Sequence, residues 1–267
     1  MIDKSLILVI DAGNTRTKWG LFDEANTMHA QGAVLNDDIG ASQAWDCPWH
    51  LCKKAVVSNV AGVEIGVQLQ ALFDSHEIDS RWVKSTATAC GLINGYGQPE
   101  TLGSDRWLAM LAAWHTLQAP CVVVSAGTAL TVDAIALENN TTENQAKFIG
   151  GLILPGLQLM QSHLAQNTAQ IGLRQGALQD FPRNTGDAVF TGAIRAMAGA
   201  VSDMVSRLAN HQSKQGRGHH TNRCMITGGD ANVLAEALNA QASLACEVIV
   251  VENLVLQGLL LIERNAV

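Results

Sequence analysis

Two stretches far apart in the chain repeat one plan. Ile7-Leu8-Val9-Ile10 runs into Asp11-Ala12-Gly13-Asn14-Thr15-Arg16-Thr17-Lys18, and Cys121-Val122-Val123-Val124 runs into Ser125-Ala126-Gly127-Thr128-Ala129-Leu130-Thr131. Each opens with four apolar residues, short enough for a strand covered on both faces, and then meets small and hydroxyl residues that let the backbone reverse. A second strand follows each turn, Lys18–Phe22 in the first copy and the residues up to Ile135 in the second. A duplicated strand–turn–strand unit restricts the chain to an α/β protein of two related halves. The boundary falls near residue 118, giving units 1–118 and 119–267.

The rest of the chain supplies the elements of such halves. Strands are expected at Met28–Val34, Ala55–Val60, Ile78–Val83, Lys147–Leu154, Cys224–Thr227 and Glu247–Val251, with a helical or irregular segment ahead of Ala55. Helices are expected over Gly66–His76, Ser104–Leu117 with Ser104 as N-cap, Gly156–Gln166, Thr185–Leu208, Ala231–Ala240 and Leu254–Arg264. With 48% hydrophobic and 15% charged residues over 267 positions, the chain can bury a sizeable core. The polar run Asn210–His220, without apolar periodicity, reads as a surface loop.

Composition excludes several classes. A net charge of −7 argues against nucleic acid as a partner. No apolar run approaches the ~20 residues of a membrane span, and nothing resembles an export leader, so a soluble cytoplasmic protein is expected and the Asn-x-Thr matches at Asn139 and Asn140 read as a polar turn. Six cysteines without C-x-x-C spacing read as reduced, mostly buried thiols.

Three strand-end turns carry the chemistry: Asp11–Lys18, Ser125–Thr131 and Thr227–Asp230. Ligands of α/β sheets settle at the carboxyl ends of strands, so two such turns from duplicated halves are expected to face one another across an interdomain cleft. None is a Walker A loop or a G-x-G-x-x-G turn. Asp11 ends its strand where a carboxylate can hold Mg²⁺ directly or through water. Thr227-Gly228-Gly229-Asp230 fits equally a helix-opening turn capped by Asp230. Asp105-Arg106 offers a proton acceptor beside a cation, and it also fits an ordinary carboxylate in a helix's first turn.

These residues carry a family resemblance. Paired Asp/Gly/Thr loops in duplicated halves resemble the actin-like (ribonuclease H-like) ATPase and sugar kinase superfamily. Asn94–Trp107 is similar to the Y-x-x-P-x-x-L-G-x-D-R-W signature of type III pantothenate kinases, with further matches at Gly127-Thr128-Ala129, Gly150-Gly151, Pro155-Gly156, Asn184-Thr185 and Thr227-Gly228-Gly229. The resemblance implies ATP- and Mg²⁺-dependent phosphorylation of the primary hydroxyl of pantothenate, the first step of coenzyme A synthesis, by a homodimer.

Carried over residue by residue, the resemblance makes Asp105 the catalytic group. It places pantothenate against Tyr96, Gly103, Ser104, Asp105, Arg106 and Thr185. ATP contacts are assigned to Asp11, Ala12, Gly13, Asn14, Thr15, Arg16, Thr17, Lys18 and Thr128, and Mg²⁺ to Asp11. Gly103 is expected to leave room for substrate. Tyr96 fits plain packing as well as a substrate hydrogen bond, and Asp133 fits either the phosphates or a turn-facing position. Many family members bind ammonium or potassium through an Asp where this chain has Ser125, a weak cation ligand. The alternative is a regulatory accessory protein of the same fold without kinase activity, like the Bvg accessory factor-like relatives. An inactive copy is expected to lose Asp11 or Asp105, and both are present.

Overall fold

The computed structural model describes residues 6–140, 143–168, 175–216, 222–242 and 244–265. By contacts the chain divides into two compact units: residues 1–90, 97–112 and 254–267 form one, and 91–96 with 113–253 form the other. The chain thus returns to the first unit after leaving it, its last residues 254–267 among those of the first unit.

In the first unit, β1 (Leu6–Ala12), β2 (Arg16–Phe22) and β3 (Met28–Leu35) form an antiparallel meander, and β4 (Cys52–Asn59) and β5 (Asp79–Trp82) extend the sheet in parallel, in the order β3-β2-β1-β4-β5. Helix α1 (Val63–Ser75) joins β4 to β5 and buries Leu69, Leu72 and Phe73. Between β3 and β4, three short 3₁₀ turns replace any longer helix. Their apolar anchors Trp45 and Trp49 pack into the cluster of Leu8, Ile10, Trp19, Leu21, Val57 and Phe73. The short strand β6 (Thr88–Ala89) is not part of this sheet but an edge strand of the other one.

The second unit repeats the order. Strands β8 (Cys121–Ala126), β9 (Ala129–Asn140) and β10 (Glu143–Pro155) form the meander, and β11 (Asn222–Thr227) and β12 (Cys246–Val250) add in parallel, so β10-β9-β8-β11-β12 matches β3-β2-β1-β4-β5. Strand β7 (Leu92–Asn94) pairs in parallel outside β10. The duplication legible in the two turns is therefore a duplication of sheet topology. The halves differ between the third and fourth strands, where the second inserts α3 (Leu157–Asn167) and the 30-residue α4 (Thr185–Lys214). Helix α5 (Ala231–Asn239) follows β11 as α1 follows β4.

Helix α4 packs Ala193, Ile194, Met197, Val201, Val205 and Leu208 against Val122, Val132, Ile226 and Leu234. It is long and apolar enough to cross a membrane by length and composition, with 44% of its most apolar window buried inside the protein. Its stripe of core residues at helical spacing accounts for that apolarity. The helix continues through Lys214, so the start of the expected Asn210–His220 loop is helical. Gln212 is buried there and donates to Leu137 O (3.4 Å), which local polarity could not reveal. His219 and His220 lie outside the described residues, as do Thr141 and Thr142 of the glycosylation sequence.

Helix α2 (Ser104–Leu117) has the expected bounds. The C-terminal helix α6 (Leu254–Arg264) lies against β1 and β4. A side chain at Gly258 would stand 2.2 Å from Leu108 O, so glycine permits the close approach of α6 to α2. Glu263 at its end receives Arg81 (3.0 Å) and Lys54, and their hydrogen bonds hold its carboxyl below the usual range against the opposing effect of burial. The six cysteines are free thiols, with Cys52, Cys121 and Cys224 buried. Burial pushes Cys121 up to about 12, which keeps it protonated and unreactive.

Candidate active site

The first turn is built by the β1–β2 register. Asp11 pairs with Lys18 and Ala12 with Thr17, leaving Gly13–Arg16 to reverse the chain, closed by Gly13 N–H to Arg16 O at 3.2 Å. The loop is fastened from outside by a residue that sequence inspection passed over. Asn36, just past β3, donates through Nδ2 to Gly13 O (2.8 Å), accepts from the Thr17 hydroxyl (3.1 Å) and donates its backbone N–H to Thr15 O (3.3 Å). Only its place at the end of a strand paired with β2 could have suggested this.

Asp11 is held as a strained electrostatic element. Its Oδ1 is shielded from solvent and has no hydrogen-bond partner. Burial raises its pKa to about 7, the neighbouring Asp105 carboxylate adds to the rise, and Lys18 opposes it. The sequence placed Asp11 and Asp105 far apart, and the fold brings them within electrostatic reach. Asp105 lies in the first turn of α2, where its Oδ1 accepts the Arg106 N–H at 2.8 Å. Its pKa is raised by burial, against the lowering effect of the Arg106 backbone and guanidinium. Arg106 itself is 5% exposed, which excludes a solvated surface arginine.

One expectation about this turn changes. Trp107 N–H bonds to Gly103 O (3.0 Å), so Gly103 precedes the helix and Ser104 is its first residue, with no capping role. The Ser104 hydroxyl instead meets that of Ser58 at 2.8 Å, both buried. Ser58 is the β4 partner of Asp11 in register, so the hydroxyl pair ties the strand beside one carboxylate to the helix bearing the other. A Cβ on Gly103 would meet Asp105 Oδ1 at 2.6 Å, so the glycine leaves that carboxylate its place.

In the second unit, Thr128 occupies the corresponding turn, with Gly127 N–H bonded to Ala129 O (3.1 Å). Gly156 N–H donates to Thr128 O (2.9 Å), and a Cβ on Gly156 would stand 1.9 Å from Gly127 O. From the other side, Asp230 N–H donates to Ala126 O (3.1 Å), and Gly228, at φ +110°, has room for no side chain against the same carbonyl. Asp230 precedes α5 without a side-chain cap bond. Thus the Pro155-Gly156 and Thr227–Asp230 motifs both brace the Gly127-Thr128 turn. Ser125 is half-buried on β8, in register with Thr131 and Thr227.

Asp133 is 2% exposed and pairs in register with Val123 and Gly151, in mid-sheet away from the turn. Tyr96 packs its ring 5.4 Å from Phe148, and its N–H donates to Asn94 Oδ1 (3.1 Å). Thr185 opens α4 after the cap residue Asn184, whose side chain accepts the Asp187 N–H at 2.9 Å. It is exposed and lines an apolar groove of about 860 Å³ between α3 and α4, with Met160, Leu164, Val189 and Gly192.

The Asp11 site fits a divalent cation. A buried, unpartnered carboxylate oxygen beside a second carboxylate is a position where a hard cation relieves both desolvation and like-charge repulsion. Among the described residues no cluster of three or more His, Cys, Asp or Glu could enclose a metal. Mg²⁺ is a hard cation that binds through as few as one or two carboxylates, together with waters and substrate phosphates.

The model of the type III pantothenate kinase family matches residues 7–207. A type III pantothenate kinase of Methylobacillus flagellatus is 44% identical over 261 residues, covering 98% of this chain and 99% of the relative. Another, from Nitrosospira multiformis, is 38% identical over 97% of this chain and 92% of its own length. In fold, the chain is similar to a Sinorhizobium meliloti protein named as a 2-dehydro-3-deoxygalactonokinase, at TM-score 0.54 and 16% identity over 97% of this chain and 99% of that one. The duplicated sheets are those of a two-domain actin-like fold, and the chain belongs to the type III pantothenate kinase family.

Proposed function

We propose that this protein transfers the γ-phosphoryl group of ATP to the primary hydroxyl of pantothenate, giving 4′-phosphopantothenate and ADP. The observation that carries the reading is the convergence of Asp11, Asp105 and buried Arg106 in a chain whose family match spans the Asp11–Lys18 and Ser125–Thr131 turns. The hydroxyl oxygen forms a bond to the γ-phosphorus as the bond to the β,γ-bridging oxygen breaks, and the hydroxyl proton passes to Asp105. Burial raises the proton affinity of Asp105 in the direction this role needs. Asp11 would hold Mg²⁺, whose charge would offset that on the phosphates. The Asp11–Lys18 loop and Thr128 contact ATP. Arg106 pairs with the pantothenate carboxylate, and Tyr96, Gly103, Ser104 and Thr185 complete its contacts.

The same reading takes the protein as a cytoplasmic homodimer. Supporting it, the α3–α4 groove is apolar, and Phe181 and Leu164 nearby are 87% and 42% exposed. A monomeric mass in light scattering at micromolar concentration would count against the dimer. Ammonium or potassium activation would run through backbone carbonyls more than through Ser125, because a hydroxyl is a weaker cation ligand than a carboxylate.

The test is to incubate the purified protein with Mg²⁺, ATP and pantothenate and follow product by ³¹P NMR, with N-acetyl sugars and glycerol as comparison acceptors. Phosphorylation of pantothenate alone is expected. Turnover of a sugar in its place, or none of any acceptor, would overturn the reading.

A further inference from the structure

The carbonyl oxygens of a tight turn repel phosphate as strongly as its N–H groups attract it, so a phosphate loop has to dispose of them. In the Asp11–Lys18 loop one outside residue does so. Asn36 Nδ2 engages the carbonyl of Gly13 at 2.8 Å and its backbone N–H engages that of Thr15 at 3.3 Å. Its Oδ1 takes the hydroxyl of Thr17, which is fully buried, at 3.1 Å. Alternate loop residues 13, 15 and 17 are thereby tied to a single side chain and its own backbone.

We propose that Asn36 is a positioning residue for the nucleotide, holding the loop with its carbonyls turned away from the incoming phosphates. This rests on the reading of that loop as the ATP phosphate loop. The task needs a side chain that donates to a carbonyl and accepts from a hydroxyl at one short reach, which asparagine provides. Aspartate would keep the acceptor but set a carboxylate against the Gly13 carbonyl and add negative charge beside the phosphates. Glutamine would displace the amide by a methylene.

The test uses the full chain and calorimetric binding of adenylyl imidodiphosphate with Mg²⁺, alongside steady-state kinetics and thermal melting. Asn36→Ala is expected to weaken the analogue about tenfold, the scale of one or two lost hydrogen bonds, and to raise KM for ATP equally. Turnover number and KM for pantothenate should stay within twofold. Thr17→Val should weaken binding about threefold, and the double variant should bind no worse than Asn36→Ala. A purely structural Asn36 would instead lower the melting temperature with analogue affinity within twofold of wild type, and that result overturns the proposal. If Asn36→Ala does not fold, Thr17→Val and Asn36→Asp decide, and near-native affinity in both overturns it. Wild-type protein that binds the analogue yet leaves pantothenate unphosphorylated refutes the proposed reaction and leaves this inference to the affinities. Wild-type protein that does not bind the analogue refutes the inference as well.

Discussion

Gly103 is bare where the Asp105 carboxylate folds back over it: a Cβ on Gly103 would stand 2.6 Å from Asp105 Oδ1. Because the obstructing atom belongs to a side chain that can swing aside, Gly103→Ala should fold. It should do so with Asp105 moved off its Arg106 N–H bond. We expect kcat to fall about 10²-fold, the lower range for a misplaced general base, with a melting temperature near that of wild type. Steady-state kinetics paired with calorimetric melting checks this, and a native kcat would show that Asp105 need not sit there.

The two carboxylates separate by role. Asp105→Asn should lower kcat by about 10²-fold or more while leaving binding of Mg²⁺ with an ATP analogue nearly intact. Asp11→Asn should weaken that binding. Reversed results would exchange the assignments.

Asp11 also makes the metal-free protein sensitive to pH. Its pKa rises from 3.8 to about 7 on folding, so between those values the native state holds a proton that the unfolded chain has released. Stability therefore falls as pH rises from about 4 to 7 and stays low above it. At about 1.4 kcal/mol per pH unit, the cost above pH 7 is at most roughly 4 kcal/mol. Asp11→Asn should abolish this component and melt higher than wild type at pH 8 without Mg²⁺, with little difference at pH 4. Denaturant titrations across that range test the sign, and a wild type more stable than Asp11→Asn at pH 8 would contradict it.

The Ser58–Ser104 pair predicts non-additivity. Ser58→Ala leaves the Ser104 hydroxyl buried without its 2.8 Å partner, at a cost of about 1–2 kcal/mol. The Ser58→Ala/Ser104→Ala double variant should cost clearly less than the sum of the singles, as measured by urea unfolding. Additive costs would mean that the bond contributes nothing.

Much of this protein was legible in the chain itself. Runs such as Ile7–Ile10 and Val122–Val124 specify buried strands, and the Gly-Thr turns that follow them announce the duplication, because strand burial and chain reversal are local requirements. The Asn94–Trp107 stretch identified the family for a similar reason: its residues are adjacent. The order of pairing was beyond local reading. Gln212 looks like loop and ends a core helix, because burial against β9 overrides its polarity. Trp45 and Trp49 enter the core from short 3₁₀ turns for which no period exists. Asn36 and Ser58 carry no signal of their own, since each acts on a residue distant in sequence. The elevated pKa of Asp11 arises only when folding removes water and sets Asp105 beside it. Sequence determined which residue types the site would contain. Tertiary structure decided which of them share an electric field, because desolvation and Coulomb repulsion depend on distances that only the folded chain establishes.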